Sequence, residues 1–180
     1  FLMVEKLNAK NFKIKYLYLD IFSYAFELFQ KCGTITAFDA FMEHKKFLTS
    51  DIKSKMDNRV LDRIMRGESM KLEDIKELFW NKIIGIEKIQ ELVGNNFLIM
   101  PTCPILAPKL KQVENNDEVF HELNLKSLRN TMLGNYFNMP AVTLPLKTLK
   151  NEMHSGIMIY SRFGMDEMLL DQAKEIENIL

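Results

Sequence analysis

The sequence is short of the residues on which several functional classes depend. It has only two cysteines in 180 residues, Cys32 and Cys103, which are too few for a disulfide framework and have no metal-site spacing. Lysine and arginine number 24, as do aspartate and glutamate, so no net charge is present to attract nucleic acid. No apolar run reaches the roughly 18 residues that cross a bilayer. We therefore expect no metal, no cofactor, no nucleic-acid partner and no membrane partner.

Histidine is equally sparse. The three histidines, His44, His121 and His154, are scattered and indicate no metal ligation. A catalytic thiol needs a base within reach, and nothing in the sequence brings His121 to Cys103, so we interpret Cys103 as a small, semi-buried loop residue. The apolar residues 1–4 are too few for the core of a signal peptide, and the chain itself indicates a soluble cytoplasmic protein.

What the chain does contain is a 47% share of hydrophobic residues, enough for a sizeable core in one domain. Residues 1–95 are predicted to be mainly helical, with helices over residues 21–30, 58–66 and 72–93. Gly33 is predicted to end the first of these, Thr36 to cap the next segment, and Gly94 to follow the longest helix. The inward face of that longest helix is predicted to be Leu72, Ile75, Leu78, Phe79, Ile83, Ile86, Ile89, Leu92 and Val93.

Strands are predicted only in the second half, over residues 97–100, 142–146 and 156–160. Each run is short and apolar on consecutive positions, which is typical of strands buried on both faces of an α/β sheet. Three such strands alone would leave sheet edges with unpaired backbone groups.

The first strand candidate stops at a proline-rich loop, residues 101–108, with the sequence PTCPILAP. Proline has no amide hydrogen for a ladder and fixes its own φ, so this loop ends the strand. Loops at the end of a sheet are where pockets form. Helical spacing through Leu128, Met132, Leu133 and Tyr136 then leads to a break at Met139-Pro140 and to the second strand.

These residues resemble the C-terminal part of the amidase signature enzymes, serine hydrolases of carboxamides that include the A subunits of the tRNA-dependent amidotransferases. That family shows a strand with a PT-x-P-x-x-AP loop, a helix with an LRNT-x-x-x-N-like string, and an x-PA-x-x-LP segment. The matching residues here are Pro101, Thr102, Pro104, Ala107 and Pro108; residues 128–131 with Asn135; and Pro140, Ala141, Leu144 and Pro145.

The likeness extends in both directions and covers most of the chain, most strongly from residue 57 onward. Upstream, the family's R-I-x-x-G string is similar to Arg63, Ile64 and Gly67. Downstream, its Gly-led strand is similar to residues 156–160. Its final helix is similar to the run with Leu169, Leu170, Ala173 and Glu177.

The resemblance implies a fold of class α/β, the C-terminal part of the amidase signature fold, with helices packed on a mixed sheet that here has only about three strands. We expect residues 1–180 to form a partial amidase domain, mainly helical over 1–95 and with the strands and helices of the sheet core over 96–180. The family's catalytic lysine and two serines precede the matched region, and this chain has 7 glycines and no Gly/Ser-rich run. We therefore expect no catalytic residue on this chain.

Five residues are candidates for substrate binding: Arg63, Thr102, Pro104, Thr131 and Asn135. Arg63 matches an arginine that, in the amidotransferase A subunits, helps to bind a substrate carboxylate, a role that suits a bidentate guanidinium. The alternative is a structural ion pair at a helix end. Leu128 replaces an acidic residue that gathers the substrate's amino group in those subunits. This replacement favours the structural role and a stand-alone amidase with a less polar substrate.

The polar residues near Leu128 have two interpretations. Thr131 and Asn135 are four residues apart on one helical face, and the segment also carries Arg129 and Asn130. Buried polar groups need hydrogen-bond partners, so these residues can brace the 101–108 loop. Alternatively, some of them shape an acyl-binding wall opposite Thr102 and Pro104.

Two functions remain open. The first is the C-terminal fragment of an amidase that hydrolyses a carboxamide to acid and ammonia through a Ser-Ser-Lys triad outside this chain. Its partners would be a small amide substrate and a complementing N-terminal fragment. The second is a non-catalytic remnant of a truncated or split gene, or a helical interaction module.

Overall fold

The computed structural model describes residues 2–146, 153 and 155–180 and divides into two compact units. Unit 1 contains the residues up to Tyr18 and residues 86–180, and unit 2 contains residues 19–85. No helix in the described ranges combines the length and the apolar character needed to cross a lipid bilayer. The elements in chain order are α1 (Leu2–Ala9), α2 (Asp20–Cys32), α3 (Ile35–His44), α4 (Ser50–Lys55), α5 (Asn58–Met65), α6 (Leu72–Val93), β1 (Leu98–Pro101), α7 (Leu110–Val113), α8 (Asp117–Tyr136), β2 (Ala141–Pro145), β3 (Gly156–Tyr160) and α9 (Asp166–Glu177).

Short polar side chains cap the first turns of α3, α4 and α5 in unit 2. The Thr34 hydroxyl accepts from Ala37 N at 3.2 Å, and the Asp57 carboxylate accepts from Arg59 N at 2.9 Å. The prediction that Thr36 caps α3 is therefore wrong. Gly33, with φ of 82°, ends α2 directly before Thr34, so the next helix starts at once and Thr36 lies inside it.

Helix α6 has the predicted bounds, and Gly94 follows it in the left-handed conformation with φ of 56°. Its predicted inward face is only partly correct. Leu78, Ile89 and Val93 are buried. Several large apolar side chains of the helix are instead exposed; they are Leu72, Phe79, Trp80, Ile83 and Leu92.

The three strands form one antiparallel sheet in the order β1-β3-β2. Leu98 and Ala141 both pair with Tyr160, one from each side, so β3 is the central strand. Three strands were predicted, and the part of the chain that the structure describes forms three. The prediction of burial on both faces holds for β3, which is buried from Ile157 to Tyr160, but is wrong for β2, whose residues alternate between exposed and less exposed.

One face of the sheet packs on α9 and α1. Leu7 of α1 is fully buried there, and the Lys6 ammonium donates to the main-chain oxygen of Leu180 at 3.0 Å, which ties α1 to the end of the chain. This face is the main apolar core of unit 1, and it consists of Leu7, Leu144, Ile157, Ile159, Leu169, Ala173, Ile176 and Leu180.

The opposite face of β3 packs on α8 through a glycine. A Cβ atom added to Gly134 would lie 2.4 Å from Cε1 of Tyr160, so only glycine allows the helix to approach the tyrosine ring this closely. The Tyr160 hydroxyl donates to the Asn130 carbonyl oxygen at 2.8 Å. Burial raises the pKa of Tyr160 to about 12, and a weaker effect from the Gly134 backbone lowers it.

This raised pKa predicts alkaline destabilisation. The native state holds the Tyr160 proton between pH 10 and about 12, where the unfolded state loses it, so this contribution is complete below pH 10 and is lost as pH rises through 12. We expect Tyr160→Phe to lower the free energy of unfolding by about 0.5–1.5 kcal/mol at pH 8, because the hydrogen bond to Asn130 is lost. The difference from the unmodified chain should shrink towards pH 12 in urea titrations.

The matched control is Tyr16→Phe, because the Tyr16 side chain is 78% exposed. It should leave both the free energy of unfolding and its pH profile unchanged. A Tyr160→Phe deficit that stays constant from pH 8 to pH 12 would contradict the assignment.

Candidate functional site

Two threonines meet over a glycine at the end of the sheet. The Thr102 hydroxyl, just after β1, lies 3.3 Å from the Thr143 hydroxyl of β2, and the two are hydrogen-bonded across the central strand. They can meet because Gly156 of β3 lies between them without a side chain; a Cβ there would lie 3.1 Å from Thr102 Oγ1 and 3.1 Å from Thr143 Cγ2. The Thr102 amide also donates to the Gly156 carbonyl at 3.0 Å. The result is a small polar surface where the 101–108 loop leaves the sheet.

Helix α8 holds the start of this loop. The Asn130 side-chain amide donates to the Pro101 carbonyl at 2.7 Å, and the Asn130 carbonyl accepts from the Tyr160 hydroxyl. One residue therefore links α8 to both β1 and β3. The interpretation that polar residues of this helix brace the loop is confirmed for Asn130.

The other two α8 candidates are placed differently. The Thr131 hydroxyl donates to the Leu128 carbonyl at 2.9 Å within its own helix, and the Asn135 side chain is exposed. On the loop, Pro104 is exposed, and Cys103 is also exposed rather than semi-buried as predicted. Of the four candidates in unit 1, the contacts among the described residues bring Thr102 into the threonine pair.

Thr143 was not among the residues predicted from sequence. The signal was present, because in a five-residue antiparallel strand Ala141, Thr143 and Pro145 must share one face. Pairing of β2 with the Gly-led β3 then places Thr143 beside a position without a side chain. The register was needed to see that Thr102 reaches the same position from the other side.

Arg63 lies in the last turn of α5 in unit 2, and its side chain is exposed. A cation in this position interacts favourably with the carboxyl end of the helix dipole. Exposed charges of this kind contribute little to stability. The guanidinium is therefore accessible to a small anion.

A second polar cluster lies in unit 2 around Cys32. The Cys32 thiol is buried, and Sγ lies 3.7 Å from Glu77 Oε2, while the Lys31 ammonium pairs with the same oxygen at 2.7 Å. Burial, and to a smaller extent the adjacent carboxylates of Glu77 and Asp74, raises the pKa of the Cys32 thiol to about 11. The bond to Lys31 lowers the pKa of Glu77.

The ligand atoms of Cys32, Asp74 and Glu77 lie within 4.8 Å of one another, so they could hold a metal ion. Glu77 is already paired with Lys31, as expected in a hydrogen-bonded structural cluster. The raised pKa of Cys32 favours the protonated thiol, whereas metal ligation requires the thiolate. We interpret this cluster as structural. The absence of a metal stays a prediction.

Comparison with known proteins identifies amidases. No family model matches the chain. The A subunit of the glutamyl-tRNA(Gln) amidotransferase from Sulfolobus acidocaldarius is 29% identical over 105 residues, which is 58% of this chain and 21% of that protein. The 2-amino-5-chloromuconic acid deaminase of Comamonas testosteroni is 29% identical over 83 residues, 46% of this chain and 18% of that protein. The chain thus spans about a fifth of the length of the curated relatives it matches.

Solved structures share the fold over almost the whole chain. The K. lactis urea amidolyase superposes with a TM-score of 0.83 at 20% identity, covering 99% of this chain and 10% of that one. An amidase structure gives a TM-score of 0.79 at 16% identity, and 6-aminohexanoate cyclic dimer hydrolase with its substrate gives 0.74 at 16%. Each covers 99% of this chain and 40% of its own. Sequence relatives and fold together confirm the resemblance: the chain is similar to part of the amidotransferase A subunit and of the deaminase, and it shares the fold of part of the solved amidases.

Proposed function

We propose that residues 1–180 are the C-terminal portion of an amidase that hydrolyses a carboxamide to a carboxylic acid and ammonia, with a Ser-Ser-Lys triad outside this chain. The observation that carries the proposal is the extent of the structural match. In a solved amidase structure, 40% of the polypeptide superposes on 99% of this chain. The shared fold is therefore only part of that enzyme, and the rest of its polypeptide is longer than the matched part.

The proposed reaction is acyl transfer through a serine ester. The serine oxygen attacks the amide carbonyl carbon, and its proton passes through the second serine to the lysine. Backbone amides stabilise the negative oxygen of the tetrahedral intermediate. The C–N bond then breaks, the nitrogen takes up the proton and leaves as ammonia, and water hydrolyses the acyl-enzyme to the acid.

In this reaction the residues of unit 1 bind and position the substrate rather than react. The hydroxyls of Thr102 and Thr143 supply donors and acceptors at the sheet end, and Asn130 holds the start of the loop that carries Thr102. Pro104, with Thr131 and Asn135 on α8, extends the proposed acyl-binding wall. We propose no metal and no cofactor, and a cytoplasmic location.

The proposed enzyme is a stand-alone amidase rather than the glutaminase of a tRNA-dependent amidotransferase. Leu128 cannot bind an amino group, whereas Arg63 is exposed and can pair with a carboxylate. Because Arg63 is exposed, an ion pair at this residue would contribute little to the stability of the fold. The exposure of Arg63 favours an amide that carries a carboxylate, and Leu128 by itself favours one without an α-amino group.

A second candidate is a helical interaction module without catalytic function. It is favoured by the exposed apolar side chains of α6 within unit 2, since patches of this kind mark binding surfaces. Those side chains are Leu72, Phe79, Trp80 and Ile83.

The amidase proposal predicts that activity depends on the remainder of the enzyme. The isolated chain should release no ammonia above buffer from butyramide or benzamide, because a binding wall without a nucleophile does not open the covalent route. Co-expression with the N-terminal portion of an amidase should produce steady ammonia release. The variant Cys103→Ala should behave identically in both assays. Turnover by the isolated chain, or no turnover by the combination, would contradict the proposal.

The role of Arg63 predicts a selective kinetic effect in the combined enzyme. Arg63→Ala should raise KM for amides that carry a carboxylate by about tenfold or more, because a charge-assisted hydrogen bond contributes roughly 1.5–3 kcal/mol. Neutral amides and the melting temperature should hardly change. Arg66→Ala, an exposed arginine three residues on, is the control and should leave KM unchanged for both substrates. A loss shared by all substrates together with a lower melting temperature would show that Arg63 is structural.

A further inference from the structure

The peptide unit between Pro101 and Thr102 is held at both of its polar atoms. Its carbonyl oxygen accepts from the Asn130 side-chain amide at 2.7 Å, and its N–H donates to the Gly156 carbonyl oxygen at 3.0 Å. A peptide unit is planar, so hydrogen bonds at its two opposite sides fix the orientation of the whole plane. Without the bond from Asn130, the plane would be held at one atom only.

The bond from Asn130 is one that the sheet does not supply. Antiparallel pairing with β3 provides the partner of the Thr102 amide, whereas the Pro101 carbonyl points away from β3. A carbonyl oxygen only accepts, so the Asn130 atom that faces it is the amide nitrogen, which donates. Asn130 therefore provides, from helix α8, the second anchor of this peptide plane.

Asn130 can hold the plane because its own backbone is fixed. The Asn130 carbonyl accepts from the Tyr160 hydroxyl at 2.8 Å, and Tyr160 is buried in the central strand. One helical turn further along, Gly134 lets α8 lie directly against the Tyr160 ring. The Asn130 side chain is thus placed relative to β3, which is also the strand that carries Gly156.

The fixed plane determines where the Thr102 hydroxyl lies. Thr102 is half-buried, and its Oγ1 lies 3.3 Å from the hydroxyl oxygen of the exposed Thr143. One hydroxyl of this pair donates to the other, which leaves one O–H and oxygen lone pairs for a further partner. A hydroxyl or carbonyl group on an acyl chain matches the donor and the acceptors that remain.

We propose that Asn130 is a positioning residue: through the Pro101–Thr102 peptide plane it holds the Thr102 hydroxyl, and this selects amides whose acyl chain carries a hydroxyl or carbonyl group. Asn130 acts through Thr102 and does not itself touch the substrate. A site with hydroxyls placed to bond a polar group disfavours an analogue that lacks this group, because the site's own polar atoms are then left unpaired. The selectivity rests on the proposed function, whereas the positioning of Thr102 does not.

Amide hydrogen exchange on the full 180-residue chain tests the positioning directly. Asn130→Ala removes the donor, so the Thr102 amide should exchange about threefold to tenfold faster, while the amide of the buried Ile159 exchanges as before. Asn130→Asp keeps the shape of the side chain, also removes the donor and should have the same effect. Lys126→Ala, an exposed residue one turn earlier on α8, is the control and should change neither amide.

Two results would overturn the positioning. An unchanged Thr102 amide in both Asn130 variants would show that the peptide plane does not depend on Asn130. Equal acceleration at Thr102 and Ile159 would show that Asn130 only stabilises the fold as a whole.

The kinetics of the combined enzyme test the selectivity. Asn130→Ala should raise KM for 3-hydroxybutyramide about threefold to tenfold, and should leave KM for butyramide and kcat for both amides unchanged. Thr102→Val, which removes the hydroxyl at nearly constant shape, should cause the same selective loss. The double variant should lose no more than Thr102→Val alone, because Asn130 acts through that hydroxyl. Additive losses, or equal losses on both amides, would contradict the proposal.

The two measurements separate this inference from the proposed function. Absence of turnover by the unmodified combined enzyme counts against the amidase proposal and the selectivity that rests on it, whereas the exchange rate of Thr102 still decides whether Asn130 holds this residue. An active enzyme in which Asn130→Ala has no selective effect on KM counts against this inference alone.

Discussion

The structure of unit 1 depends on the central strand β3, which is paired on both edges and buried on both faces. Its apolar side chains Ile157 and Ile159 meet α9 and α1, and Tyr160 on the other face meets Gly134 of α8. The glycine at its start, Gly156, lets Thr102 and Thr143 meet across it. One strand therefore determines the core, the packing of α8 and the polar surface at the sheet end.

Much of this arrangement is predictable from local patterns. The bounds of α6 and β3 follow from helical periodicity and from a Gly-led apolar run, and Gly94 follows from the preference for left-handed helix ends. The cap of α3 was misplaced, because Thr34 and Thr36 have the same chemistry and only the backbone geometry at Gly33 distinguishes them. The predicted inward face of α6 was only partly correct. Apolar spacing identifies a helix face that is suited to burial, but it does not show which element covers that face.

The candidate site was predicted less completely than the fold. Thr102 followed from the loop motif, whereas its contact with Thr143, 41 residues away in sequence, depends on the register of β1 and β2 against β3. Asn130 was one of four polar residues that the sequence analysis named on this helix, and the direction of its side chain towards Pro101 is set by tertiary packing. Long-range pairing of this kind is the information that local sequence patterns do not contain.

The central claim is that this chain supplies binding and structure to an amidase whose chemistry resides elsewhere. Its most direct test is the translated DNA sequence immediately upstream of the coding region for this chain. We predict a polypeptide that contains a lysine, a Gly/Ser-rich run and a nucleophilic serine in that run. An upstream region that encodes no such polypeptide would contradict the claim.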